Sequence, residues 1–244
     1  MRKLVVGALV SALTLTGAVG ALAVSSSETT HTVTFSTGNK REGTPRRPRP
    51  NSLTLRLSQG TTTGSGQPAT TTTINVSIPR QWRLNSERWP RRRRCNITTV
   101  NQRGTDSVCP RGSRIGRGRT RLLAADGGIE EFANIRAYVI RNGDLGFFID
   151  SDPGEETEIN AMVQGVTSRS RISIKIPATL QQPVPGVKSA IGELTTTIAG
   201  SAPIRGRRRG ILETTGCPRR GWAFTLESVY DDGGRNRDSG RVRC

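Results

Sequence analysis

Histidine is nearly missing from this chain: 244 residues carry one, His31. Structural zinc sites need closely spaced Cys and His ligands, and the four cysteines include no C-x-x-C pair. No metal or cofactor is therefore expected. A histidine-dependent triad would have to use His31, which falls in a Ser/Thr-rich stretch (residues 25–32) read as the loose start of an exported chain. A G-x-S-x-G nucleophile elbow is absent, and Gly116-Arg117-Gly118 lacks the GK[ST] ending of a phosphate loop. Paired cysteines leave no free thiol as a nucleophile. Aromatics are scarce at 4%, and neither an RNP-like nor a zinc-finger pattern occurs, so no specific nucleic-acid role is expected. Past the first 24 residues no second long apolar run occurs, and no window of eleven residues repeats at the 3.6-residue helical period. The 19 acidic residues leave open a pair of carboxylates of the kind that hydrolyses sugars.

What is present begins with Arg2 and Lys3, then an apolar run from Leu4 to Val24 ending in Ala21-Leu22-Ala23. A short basic region, an apolar stretch and small residues at its end describe a secretory signal peptide, here residues 1–23. An uncleaved N-terminal anchor is the rival, because the run is long enough to span a bilayer. Residues 24–31 are expected to be a flexible start and residues 32–244 a single β domain, with no transmembrane span once the signal is removed. The expected location is secreted or extracytoplasmic, in association with the cell envelope.

Short runs alternate apolar and polar residues with the period of two that marks half-buried strands. Leu53, Leu55 and Leu57 alternate with Thr54 and Arg56, and Ile74, Val76 and Ile78 with Asn75 and Ser77. Turn signals at Gly143-Asp144, Pro153-Gly154 and Ser168–Ser170 separate later strands. Residues 40–50 form a basic, proline-rich loop. Residues 178–182 allow one helical turn, stopped by Pro183 and Pro185. These signals predict an all-β protein, a single antiparallel β sandwich of about ten strands.

Four cysteines form an even set for an oxidising compartment. Cys95 and Cys109 flank a turn at Gln102-Arg103-Gly104, and Cys217 and Cys244 flank one at Asp231-Asp232-Gly233-Gly234. Hairpin partners lie close enough for disulfide geometry, so the expected pairing is Cys95–Cys109 and Cys217–Cys244, clamping two hairpins. Each short loop closure contributes about 3 kcal/mol on the chain-entropy estimate.

The formal net charge is +18, and all but four of the 37 basic residues (Lys3, Lys40, Lys175 and Lys188) are arginine. Arginine pairs phosphate and carboxylate groups bidentately, so runs of it suit anionic polymers or lipid surfaces. The candidate contacts are Arg91, Arg92, Arg93, Arg94, Arg207, Arg208 and Arg209. A GC-rich genome would produce the same skew with no binding role. Trp82 and Trp89, in the irregular basic loop 80–94, are candidate glycan contacts, or else a plug at one end of the sandwich with arginine stacked on the rings. The acidic run from Asp150 to Glu158 begins like a calcium loop but lacks its required glycine and glutamate positions, which favours a solvated turn.

The run Cys109-Pro110-Arg111-Gly112-Ser113-Arg114-Ile115-Gly116-Arg117-Gly118, the Gln182–Gly186 loop, Thr214-Thr215-Gly216-Cys217-Pro218 with Trp222 and Phe224, and the closing Arg241-Val242-Arg243-Cys244 together resemble a group of exported actinobacterial β-domain proteins of unknown function. The resemblance covers the chain from about Val33 onward. It implies export, one β domain and no catalytic residue. Within the run, Gly116 and Gly118 are expected where backbones approach closely.

The expectation is a non-enzymatic envelope protein contacting anionic surface polymer through loop arginines. The alternative is a carbohydrate-binding module or glycan-active enzyme built on Trp82 and Trp89.

Overall fold

A computed structural model describes residues 28–64 and 66–244. The expected signal peptide lies outside the described residues. The described end of the 24–31 segment is ordered, because β1 (Thr29–Thr37) already begins there. β2 (Arg49–Asn51), β3 (Leu53–Thr61), β4 (Thr71–Ser77) and β5 (Trp82–Leu84) follow, so the proline-rich loop ends in a short strand. Helix α1 (Ile97–Arg103) precedes the long strands β6 (Arg114–Ala124) and β7 (Ile129–Val139), then β8 (Leu145–Ser151), β9 (Asn160–Ser168) and β10 (Arg171–Lys175). The predicted helical turn is α2 (Ala178–Gln181). The chain ends with β11 (Ser189–Ile198), β12 (Ser201–Ile204), β13 (Arg207–Gly210), β14 (Leu212–Thr214), β15 (Trp222–Tyr230) and β16 (Arg235–Val242). No helix among the described residues is long and apolar enough to cross a membrane.

The fold is β-rich and antiparallel as expected, but its eleven main strands form one continuous sheet rather than the two facing sheets of a sandwich. Their order is β1-β3-β11-β6-β7-β8-β9-β10-β4-β15-β16, and the sheet curls until it nearly closes as a barrel. Every pairing in it is antiparallel. An odd number of antiparallel strands leaves the two outermost ones parallel. Side chains bridge that seam instead of a ladder: Asn236 Nδ2 donates to the Thr29 carbonyl at 2.8 Å, and His31 Nδ1 lies 3.2 Å from Asp238 Oδ2. Gly240 admits the Phe35 ring, since a Cβ there would stand 2.8 Å from Phe35 Cδ2.

Alternation puts one side of each strand inside. Leu53, Leu55, Leu57, Ile74, Val76, Ile135, Val139, Phe224 and Leu226 are buried in a single cluster. Burying such side chains stabilises the fold by about 1.5–3 kcal/mol each. Gly116 and Gly118 sit where β6 crosses closest to β11, and a Cβ would meet the Thr197 and Thr195 carbonyl oxygens at 2.3 and 2.2 Å. Aromatic rings plug one region of the interior. Trp82 meets Trp222 edge-on at 5.3 Å, and Phe35 stacks on Phe224 at 5.2 Å. Smaller sheets, β2-β14-β5 and β12-β13, lie beside the barrel.

Both disulfides form as paired in the sequence reading, with Cα–Cα separations of 4.8 and 6.0 Å. Cys217–Cys244 clamps the β15–β16 hairpin. Cys95–Cys109 does not clamp a hairpin: the enclosed segment is α1, capped by Gly104 in the left-handed region (φ 60°). Val100 on α1 packs with Tyr138, Ile140, Phe148 and Met162, so the bridge pins a helix onto β7–β9.

Candidate anion site on the arginine hairpin

Strands β12 and β13 pair from Ser201↔Gly210 to Ile204↔Arg207, leaving two residues to turn the chain. Arg205 has φ 48° and Gly206 φ 74°. Positive φ at both positions is the mirror-type turn that matches strand twist, usually made by Asn-Gly. Arginine in the left-handed region crowds its Cβ against the following carbonyl, at a cost of about 1–2 kcal/mol. The turn thus holds a strained side chain at its tip, with Arg207, Arg208 and Arg209 directly behind it.

Register decides which of these face together. Arg207 lies opposite Ile204 and Arg209 opposite Ala202, on one face of the hairpin, while Arg208 points away and donates from Nε to Ser201 Oγ at 2.7 Å. Across from that face stands the β5 segment, docked by Asn85, whose Nδ2 donates to the Gly210 carbonyl at 2.8 Å and whose N–H donates to the Ile211 carbonyl at 2.8 Å. Arg83 and Arg88 come with it. The result is a basin of about 230 Å³ lined by Arg83, Arg88, Arg205, Arg207 and Arg209, with Glu213 the one carboxylate in its lining. Glu213 is 3% exposed and already engaged: Oε1 accepts the Gly210 N–H at 3.3 Å, and Oε2 lies 3.6 Å from Arg209 Nη1. Five guanidinium groups around one committed carboxylate can accept an anion through paired N–H donors.

The other expected contacts are distributed differently. Arg91 and Arg92 are exposed on a one-turn 3-10 helix. Arg93 lays its stem over Gly112, where a Cβ would stand 2.7 Å from Arg93 Cδ. Arg94 is structural, donating to the carbonyls of Trp89, Arg141 and Glu87, and burial together with Arg91 pulls its pKa below the ordinary guanidinium value. Of the seven expected arginines, Arg207 and Arg209 reach the basin. Arg83 and Arg88 are additions to the expected set, whereas Arg205 opens the arginine run 205–209 that the sequence displays. Arg205 was detectable from its place before Gly206 in a two-residue turn; Arg83 and Arg88 depend on the pairing of β5 with β14, which no local pattern announces.

Trp82 and Trp89 offer no exposed platform for a sugar. Each is 2% exposed, and Trp89 Nε1 donates to the Gly112 carbonyl at 2.9 Å. Both pack into the main core cluster, because indole rings are large apolar bodies. The expected arginine stacking falls on other rings, Arg119 over Phe132 and Arg136 over Phe148. The acidic turn is held by ion pairs, Asp152 with Arg119 and Asp150 with Arg136. Among the described residues, Glu42 with Cys217 and Cys244 is the one Cys/Asp/Glu/His grouping tight enough to share an ion, and both sulfurs are committed to the disulfide.

His31 is placed quite unlike a loose segment. Its side chain is 3% exposed, between Asp238 and Ser228, with Nε2 3.0 Å from Ser228 Oγ. The order is that of a nucleophile, base and orienting acid. Yet Ser228 is fully buried, accepts a second bond from Gln59 Nε2 at 3.2 Å, and lines none of the cavities described here. Gln59 also donates to the Tyr230 hydroxyl at 3.0 Å, and burial pushes the Tyr230 pKa up to about 12. This polar cluster, missed in the sequence because its members lie up to 207 positions apart, closes the seam of the barrel.

No family model, curated protein or solved structure matches this chain.

Proposed function

We propose that this is a non-enzymatic extracytoplasmic protein that attaches to anionic polymer of the cell envelope through the arginine basin. The observation that carries the reading is the convergence of Arg83, Arg88, Arg205, Arg207 and Arg209 on one concavity whose single carboxylate is buried and engaged. Scattered arginine from genome composition gives no reason for two chain segments more than a hundred positions apart to deliver guanidinium groups to one basin. Backbone strain held at Arg205 adds to it, since strained residues persist where the surrounding fold imposes them and cluster at functional sites. Two disulfides and the leader-like first residues are compatible with an oxidising compartment.

The test is retention on beads coated with polyglycerol phosphate. Retention should fall steeply as salt rises, because binding releases condensed counterions. The triple variant Arg205→Ala, Arg207→Ala, Arg209→Ala should weaken binding at least about tenfold, whereas Arg91→Ala with Arg92→Ala, outside the basin, should weaken it far less. Equal losses in both variants would assign the retention to net charge alone and end the reading.

A further inference from the structure

The interior of the barrel is filled unequally. On the seam side, Phe35, Trp82, Trp222 and Phe224 occupy the space. On the far side, bounded by β3, β4 and β6–β11, a chamber of about 110 Å³ is left. Leu55, Ile74, Ile135, Phe147, Ile174 and Leu194 are among its walls, and none of the described lining residues is charged. Protein interiors are packed so closely that voids larger than one water are few. A chamber of this size could hold several waters, but an apolar wall gives them too few hydrogen-bond partners. Engineered cavities of about 150 Å³ with such walls stay dry and take up benzene.

Part of the chamber's lining is helix rather than strand. Leu180 and Gln181 of α2 supply it, and this one-turn helix sits between Pro177 and the Pro183/Pro185 pair. Ser189 Oγ donates to the Leu180 carbonyl at 2.8 Å, and Gln181 Nε2 donates to the Ile176 carbonyl at 2.7 Å. Outside lies a polar vestibule of about 460 Å³ that includes Gln67, Thr70, Asp126, Gln182, Lys188 and Asp231. Three pairs of consecutive residues, Thr70/Thr71, Gln181/Gln182 and Lys188/Ser189, divide between the vestibule and the chamber, so the two adjoin. Lys188 is already paired with Asp231, which leaves Asp126 as the uncompensated charge of the vestibule.

From this juxtaposition we infer that the barrel binds a small single-chain amphiphile, its hydrocarbon tail in the chamber and an uncharged, hydroxyl-bearing head in the vestibule. The apolar walls reject an ionised group, which would be buried without a partner. The space admits one short tail. The vestibule's surplus acid disfavours a carboxylate or phosphate head. α2 is the element that must shift for entry, since the bonds tying its body to the barrel are side-chain bonds of Ser189 and Gln181. This inference is independent of the arginine basin.

The experiment is a titration of the full exported chain with 1-octanol, followed by methyl NMR, with sodium octanoate as the charged comparator. Saturable shifts are expected at Ile135, Ile174 and Leu194, and none at the exposed apolar residue Val166. Octanoate should bind at least about tenfold more weakly. Ile135→Trp, which fills the chamber, should abolish the shifts. Should that variant fail to fold, Leu180→Trp, which narrows the chamber from α2 rather than from a strand, should slow or block entry while the thermal melt still shows a folded protein. Chamber methyls unmoved at octanol saturation, shifts only at the exposed Val166, or binding unchanged in a folded Ile135→Trp protein would overturn the site. Equal affinity for octanoate would overturn the uncharged head.

Discussion

His31 and Asp238 face each other at 3.2 Å across the seam between β1 and β16, two edges that run parallel with no backbone ladder between them among the described residues. Desolvation lowers the His31 pKa below 6.5, more than Asp238 raises it. The Nδ1–H donates to Asp238 Oδ2, which leaves Nε2 to accept from the Ser228 hydroxyl, a tautomer fixed by its partners. Because the folded value lies below the unfolded one, the unfolded chain binds the proton first. Stability should be full above pH 6.5 and decline as the pH falls below it. Denaturant midpoints measured from pH 8 to pH 5 should show that decline in the wild type and a flatter curve in His31→Gln. Identical slopes would mean that the seam histidine does not titrate on unfolding.

Arg205→Asn places a residue that tolerates left-handed backbone at the hairpin tip. It should raise stability by about 0.5–1 kcal/mol through relief of the Cβ crowding, and it should weaken retention on polyglycerol phosphate severalfold. A melt and a retention assay on the same variant read both effects. A stabilised protein with undiminished binding would remove Arg205 from the basin's contacts.

Gly118→Ala puts a methyl 2.2 Å from the Thr195 carbonyl, a backbone atom that cannot rotate aside. β6 and β11 would have to separate, at about 1–3 kcal/mol. The same change at Gly64, where nothing stands within 4 Å but φ is 73°, costs only backbone strain. Thermal melts of the two variants should separate accordingly, with Gly118→Ala the less stable.

Removing the bridge with Cys217→Ala and Cys244→Ala frees a loop with a sequence separation of 27. The loss should be about 3.5 kcal/mol on the chain-entropy estimate. Hydrogen exchange should concentrate the damage in β16, an edge strand whose ladder partner is β15 alone. Uniform loss across the sheet would point to a global effect of the bridge instead.

Short-range features were legible in the chain. Period-two alternation located Leu53, Leu55 and Leu57, the Pro pair ended α2, and the turn at 231–234 set the register of β15 with β16, where Trp222 faces Val242. Each depends on residues a few positions apart. Closure of the sheet did not show, because it rests on Phe35 meeting Gly240 and Thr29 meeting Asn236 across nearly the whole chain. Residues 97–100 are an Ile-Thr-Thr-Val run that favours strand on propensity, yet they form α1. Burial of Val100 and the capping Gly104 outweigh propensities that differ by only a few tenths of a kcal/mol per residue. The basin was half visible for a related reason: Arg207 and Arg209 announce themselves as a run, whereas Arg83 arrives opposite Glu213 through a strand pairing 130 positions apart.

The eleven-strand count also sets how the molecule can deform. A cylinder with an even number of alternating strands can be welded all round, so widening it anywhere breaks main-chain bonds. This one resembles a cuff fastened by buttons. Its girth can grow along one line at the expense of a few side-chain contacts, while every strand keeps its neighbours, and the sulfur clasp at Cys244 stands at the hem of the strand that would lift first.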